Sequence, residues 1–179
     1  KGNSLEIKGS GSLTVSQCNY MSSGSFEDVT VDGVKLVGDN TNGLVMNGNF
    51  VAKNGAYIDL SVADGDSNAW NPIYANGNIE IYDSTLMSHS GATGGIWAVG
   101  VGKDSSLFKF VQNPNGNVYI ENSTITVNSV AGVFANNSAE VVGNVKFITE
   151  NNKQILRTNT GEITLNLGEQ ADFQGYINE

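Results

Sequence analysis

Two carboxylates and an amide crowd the loop Asp64-Gly-Asp66-Ser-Asn68, which holds the only close pair of aspartates in a loop of the chain. Acids at such spacing suit two kinds of chemistry. One is general acid and base hydrolysis of a glycosidic bond, which needs two or three carboxyls a strand spacing apart. The other is calcium binding, which takes several oxygens from one short loop. The calcium reading is weak: counted from Asp64, an EF-hand wants Gly and Glu where Ala69 and Ala75 stand. Asp64, Asp66 and Asn68 are therefore kept as a weak calcium candidate, and Glu27-Asp28 is a lesser acid pair. Lyase chemistry on acidic sugars calls for a strong base facing carboxylates. The single arginine, Arg157, has no acidic neighbour before Glu162 and reads as a solvated residue. His89 and Cys18 are each alone, so neither a histidine-thiolate metal pair nor an internal disulfide is available. Cys18 reads as buried and His89 as a surface or corner residue. No nucleophile-elbow motif frames a serine. No catalytic residue, metal or cofactor is assigned.

Residues suited to binding are clearer. Asn76-Gly-Asn-Ile-Glu-Ile-Tyr-Asp-Ser-Thr85 returns 39 residues later as Asn115-Gly-Asn-Val-Tyr-Ile-Glu-Asn-Ser-Thr124. Ile79 and Ile81 match Val118 and Ile120 as inward residues, which leaves Glu80, Tyr82, Tyr119 and Glu121 outward. Tyrosine has a flat apolar body and a polar tip, suited to sugar rings and protein interfaces. If the repeat spans two coils of about 20 residues, Glu80 lies about 9.6 Å from Tyr119, and Tyr82 as far from Glu121. Trp70 and Tyr74, flanking Asn71-Pro72, form a second candidate platform. Trp97, between small residues in Gly94-Gly-Ile-Trp-Ala-Val-Gly100, reads as core, as do Phe108, Phe110, Phe147 and Phe173.

The elements that must carry these residues are short strands. Apolar residues alternate with polar ones at Leu5/Ile7, Leu13/Val15, Val29/Val31, Ile125/Val127 and Ile163/Leu165/Leu167, with no competing helical period. Clusters of Gly, Asn, Asp and Ser separate them. Alternation alone also describes a β-sandwich; the long-range repeat selects a solenoid. Asn-Gly-Asn at 47–49, 76–78 and 115–117 marks one corner, with Gly143-Asn144 as a weaker fourth copy, and the unequal intervals imply coils of unequal length. Loops 64–72 and 102–106 are the expected bulges. The fold class expected is all-β, a parallel β-helix with irregular coils, forming one segment over residues 1–179 that reads as excised from something longer.

Composition agrees and excludes some partners. The charged fraction is 15% against roughly 25% in ordinary domains, while Gly, at 22 residues, and Asn are abundant. A net charge of −9 and a pI near 4.4 leave no basic stripe for nucleic acid or an anionic membrane. No apolar run is long enough to cross a bilayer as a helix.

Asn144-Val-Lys-Phe-Ile-Thr149, Gly161-Glu-Ile-Thr-Leu-Asn-Leu-Gly168 and Ala171-Asp-Phe-Gln-Gly-Tyr-Ile177 follow one another like successive coils, the last with a Phe-x-Gly turn. In this the chain resembles the passenger segments of bacterial autotransporters and related surface adhesins, which are right-handed parallel β-helices of irregular repeats, and the resemblance implies a right-handed parallel β-helix cut from a longer surface protein. The resemblance implies a non-enzymatic segment of a cell-surface or secreted bacterial adhesin that binds a glycan, a host surface protein or a second copy of itself. The alternative is a carbohydrate-binding or polysaccharide-cleaving β-helix.

Overall fold

The computed structural model describes residues 3–18, 21–23, 26–39, 41, 43–61, 71–89, 95–98, 116–128, 132–149 and 154–178. Every regular element among them is a strand. They come in threes. The first coil is β1 (Asn3–Lys8), β2 (Ser12–Ser16) and β3 (Ser22–Ser23), and the second is β4 (Phe26–Asp32), β5 (Lys35–Asp39) and β6 (Leu44–Met46). The third is β7 (Phe50–Lys53), β8 (Tyr57–Ser61) and β9 (Ile73–Ala75), and the fourth is β10 (Ile79–Tyr82), β11 (Thr85–His89) and β12 (Ile96–Ala98). Then follow β13 (Val118–Glu121), β14 (Thr124–Asn128) and β15 (Val133–Ala135), and β16 (Ala139–Gly143), β17 (Lys146–Ile148) and β18 (Gln154–Thr158). The last coil is β19 (Ile163–Leu167), β20 (Asp172–Phe173) and β21 (Tyr176–Ile177).

Each strand pairs in parallel with the strand three places on, giving three seven-stranded sheets. Sheet A runs from β1 to β19, sheet B from β2 to β20 and sheet C from β3 to β21. This is the expected parallel β-helix. Inward side chains stack in columns because the strand period of two repeats in register from coil to coil. Val29, Phe50, Ile79, Val118 and Ala139 form one column on sheet A. Leu36, Ile58, Leu86, Ile125 and Phe147 form another on sheet B, and Leu44, Ile73, Ile96, Val133 and Leu156 a third on sheet C. All fifteen are buried, at about 1.5–3 kcal/mol for each large apolar side chain. Phe147 sits in this core and Phe173 packs on it with ring centroids 5.0 Å apart, as expected, while Phe108 and Phe110 lie outside the described residues.

The corners use two devices. Between sheets A and B a left-handed residue stands in the second to the sixth coil: Gly33 at φ 68°, Asn54 at 57°, Asp83 at 46°, Asn122 at 45° and Gly143 at 78°. Asn and Asp tolerate this region better than other side chains, and Gly adopts it freely. Between sheets C and A the Asn-Gly-Asn turns form a ladder. Asp28 Oδ1 accepts the Asn49 backbone N–H at 2.8 Å, Asn49 Oδ1 that of Asn78 at 2.9 Å, and Asn78 Oδ1 that of Asn117 at 3.1 Å. Asn117 Oδ1 passes the ladder on to Ser138 N–H at 3.2 Å. The central glycine has no room to be anything else: a Cβ on Gly77 would lie 2.5 Å from Asn49 Oδ1.

Two expectations are corrected. The 39-residue repeat is one coil, not two. Ile79 pairs directly with Val118, whereas the intervals Val29 to Phe50 and Val118 to Ala139 are 21 residues. Between β12 and β13 the link is longer than the three residues that join β6 to β7, β9 to β10 and β15 to β16, and it carries the excess. Gly143-Asn144 is not a fourth copy of the Asn-Gly-Asn corner. It belongs to the turn between sheets A and B, where Asn144 N–H donates to Asn122 Oδ1 at 3.0 Å.

Candidate functional site: two outward faces

Sheet A brings the four outward residues together more closely than expected. Because β10 and β13 are neighbours, Glu80 pairs with Tyr119 and Tyr82 with Glu121, about 4.8 Å apart rather than twice that. The result is a checkerboard of two acids and two phenols. Tyr82 and Tyr119 meet across its diagonal with ring centroids 5.3 Å apart and planes at 40°. Tyr82 Oη–H donates to Glu80 Oε2 at 2.9 Å, and Tyr119 Oη–H donates to Glu121 Oε2 at 2.9 Å. Both bonds join residues i and i+2 on one strand, which the pleat places on the same face.

Charge follows from this geometry. Burial, then the hydrogen bond to Glu80 and the neighbouring carboxylates, pushes the Tyr82 phenol up to about 12. Tyr119 is raised chiefly by its hydrogen bond to Glu121. Both phenols are neutral at physiological pH, and their protons are committed to carboxylates. The face therefore offers acceptors to a visitor: phenolic lone pairs and carboxylate oxygens. Beside Tyr119, an open depression of about 410 Å³ is bordered by Asn117, Glu140, Glu162 and Thr164.

Sheet C carries a second face that sequence reading did not assemble. Register aligns Val45, Tyr74, Trp97, Phe134 and Arg157 in one outward column. Trp97 is thus not a core residue. Its neighbours Ile96 and Ala98 are buried while Trp97 is half-buried and points away from the core. Trp97 and Phe134 pack with centroids 5.4 Å apart and planes at 60°. Arg157 is not solvated in the open either: its guanidinium carbon lies 4.7 Å from the Phe134 ring centre and 5.7 Å from that of Trp97, within cation–π range. Phe134 is only 4% exposed and forms the floor. Tyr74 continues the column, its phenol pushed up by burial. Its expected partner Trp70 lies outside the described residues, as do Asp64, Asp66 and Asn68.

The remaining candidates are dispersed. His89 is half-buried on sheet B with Nε2 3.8 Å from Asp59 Oδ1. Cys18 is half-buried rather than buried. Glu27 and Asp28 share β4, but Asp28 is engaged as the head of the asparagine ladder. Among the described residues no three His, Cys, Asp or Glu side chains converge as metal ligands. No family model, curated protein or solved structure matches the chain.

Proposed function

We propose that this chain is a non-enzymatic binding segment of a bacterial cell-surface or secreted adhesin, with the Tyr82/Tyr119 face of sheet A as its principal contact surface. The observation that carries the reading is the pair of outward tyrosines, locked by hydrogen bonds to Glu80 and Glu121 on adjacent strands of one sheet. A side chain already held in one rotamer loses little entropy when a partner docks. An acceptor-rich, aromatic surface suits partners rich in donors, such as glycan hydroxyls or the basic groups of a host protein. A stack of coils repeats such contacts along a rod, and linked weak sites add by avidity.

The test is a binding survey of the purified chain on an immobilised glycan panel and on host-type cell surfaces, with analytical ultracentrifugation of the same sample. The reading expects saturable binding or concentration-dependent association that falls at least about tenfold in the double variant Tyr82→Ala/Tyr119→Ala, since buried aromatic anchors dominate interfaces. Binding that is indifferent to that double variant, or a strict monomer that binds nothing, overturns it. Shortened oligosaccharide products in the same incubations would favour the polysaccharide-cleaving alternative instead.

A further inference from the structure

The two faces differ in chemistry. Sheet A is acidic on balance: Glu6, Glu80 and Glu140 lie along one outward column, and its strands also carry Glu27, Asp28, Asp32 and Glu121 against the two lysines Lys8 and Lys53. None of the seven strands of sheet C contains an Asp or Glu, and the chain's one arginine is there. In a molecule of net charge −9 this is, among the three described sheets, the one where an anion meets no carboxylate on the strands themselves. The column also holds unused donors. Among the described residues, Trp97 Nε1 and Arg157 Nε are shielded from water and have no hydrogen-bond acceptor. A shielded N–H without an acceptor is destabilising, so an oxygen supplied from outside gains what the protein does not provide.

We propose that the Tyr74–Trp97–Phe134–Arg157 column of sheet C is a subsite for a carboxylated sugar chain. The inference rests on the binding reading above and names a ligand class for a second face. Aromatic rings supply apolar contact for the C–H faces of sugar rings. Arg157, a planar fork of N–H donors, takes the carboxylate in a bidentate pair. Drawing the guanidinium outward onto the carboxylate gives Nε–H its acceptor and uncovers the Phe134 ring. From Tyr74 to Arg157 the column climbs three strand spacings, about 14 Å, and is one side chain wide. That shape accommodates a short run of linked sugar rings and is too narrow to be the whole of a protein interface, which buries roughly 800 Å² on each partner.

The experiment uses the Trp70→Phe chain, in which Trp97 is the one remaining tryptophan. A hexuronic acid trimer and its carboxyl-reduced neutral counterpart are titrated against Trp97 fluorescence. The acidic trimer is expected to bind at least about tenfold more tightly, because a site built for a charged hydrogen-bonding group rejects an analogue that lacks it. Arg157→Gln removes the preference and Arg157→Lys keeps part of it, while circular dichroism confirms that both fold. Equal affinity for the two trimers, a preference that survives Arg157→Gln, or unmoved Trp97 emission overturns the proposal. The wild-type comparison of the two trimers decides the matter even if an Arg157 variant does not fold. Self-association abolished by Arg157→Gln, without trimer binding, would make the column an interface between copies and also overturns it. The Tyr82/Tyr119 double variant separates the two readings: a glycan panel still read through sheet A leaves the adhesin proposal standing when this one fails.

Discussion

Tyr82 is the residue whose surroundings change its chemistry most. Its hydroxyl is partly withdrawn from water and donates to Glu80, and both effects favour the protonated phenol, raising it from 10.0 to about 12. The unfolded chain releases that proton near 10 and the folded chain near 12, so between these values the folded state binds more protons. Its contribution to stability is whole below pH 10 and is lost as pH rises toward 12. A spectrophotometric titration should show a phenolate step near pH 12 that is absent in Tyr82→Phe. In Glu80→Gln, with the carboxylate gone, the step should move toward 10. A wild-type titration complete by pH 11 would refute the locked geometry. The outward phase of Tyr82 and Tyr119 was legible from alternation. For Trp97 the small neighbours suggest tight packing in the core, whereas Ile96 and Ala98 fix the inward phase and put Trp97 on the other side. The aligned triplets Ile73-Tyr-Ala75, Ile96-Trp-Ala98 and Val133-Phe-Ala135 were the available signal for the whole aromatic column.

Strands in this fold are three to seven residues long in most coils, too short to be stable singly, and their register depends on the corners. The asparagine ladder sets that register between sheets C and A. Asn78 is a middle rung: its N–H donates to Asn49, and its Oδ1 accepts both the backbone N–H and the Nδ2 of Asn117, at 3.1 and 3.2 Å. Asp28 fits the head of the ladder because a carboxylate only accepts. Asn78→Ala removes the acceptor and leaves the Asn117 amide without its partner at a half-buried corner, a loss of about 1–3 kcal/mol. Asn78→Asp keeps the acceptor and should cost less than half as much. Urea denaturation gives the two losses, and hydrogen exchange should show the Asn117 amide opening faster in the alanine variant alone. Equal losses in both variants would mean the corner is held by the backbone rather than by the carboxamide. The recurrence of Asn-Gly-Asn located these turns from sequence. What it could not convey is that each rung bonds to the next coil, since the bonds of residues 21 to 39 positions apart follow from coil length alone.

Coil length is therefore the property of the whole molecule that sequence left open. The 39-residue repeat divides arithmetically into two coils of ordinary size, and only the direct pairing of Ile79 with Val118 shows one coil with a long link. A solenoid tolerates such a link because each coil contacts only its neighbours and loop closure grows slowly with length. In the link that follows Ala98, Asn115-Gly116-Asn117 occupies the last three positions before β13, just as 47–49 precede β7 and 76–78 precede β10. Deleting residues 99–114 would leave those three residues as the whole corner, equal in length to the other two. If coil closure rests on the paired strands and the asparagine ladder, the shortened chain should fold with the same far-ultraviolet circular dichroism and unfold in a single transition. By loop entropy alone it should be more stable by about 1–2 kcal/mol, since the link falls from nineteen residues to three. Trp97 should keep its place between Tyr74 and Phe134, which its emission reports. A chain that fails to fold, or that loses the pairing of β10 with β13 in hydrogen exchange, would show that residues 99–114 hold the fourth and fifth coils together. The rod would then not be a simple stack of interchangeable turns.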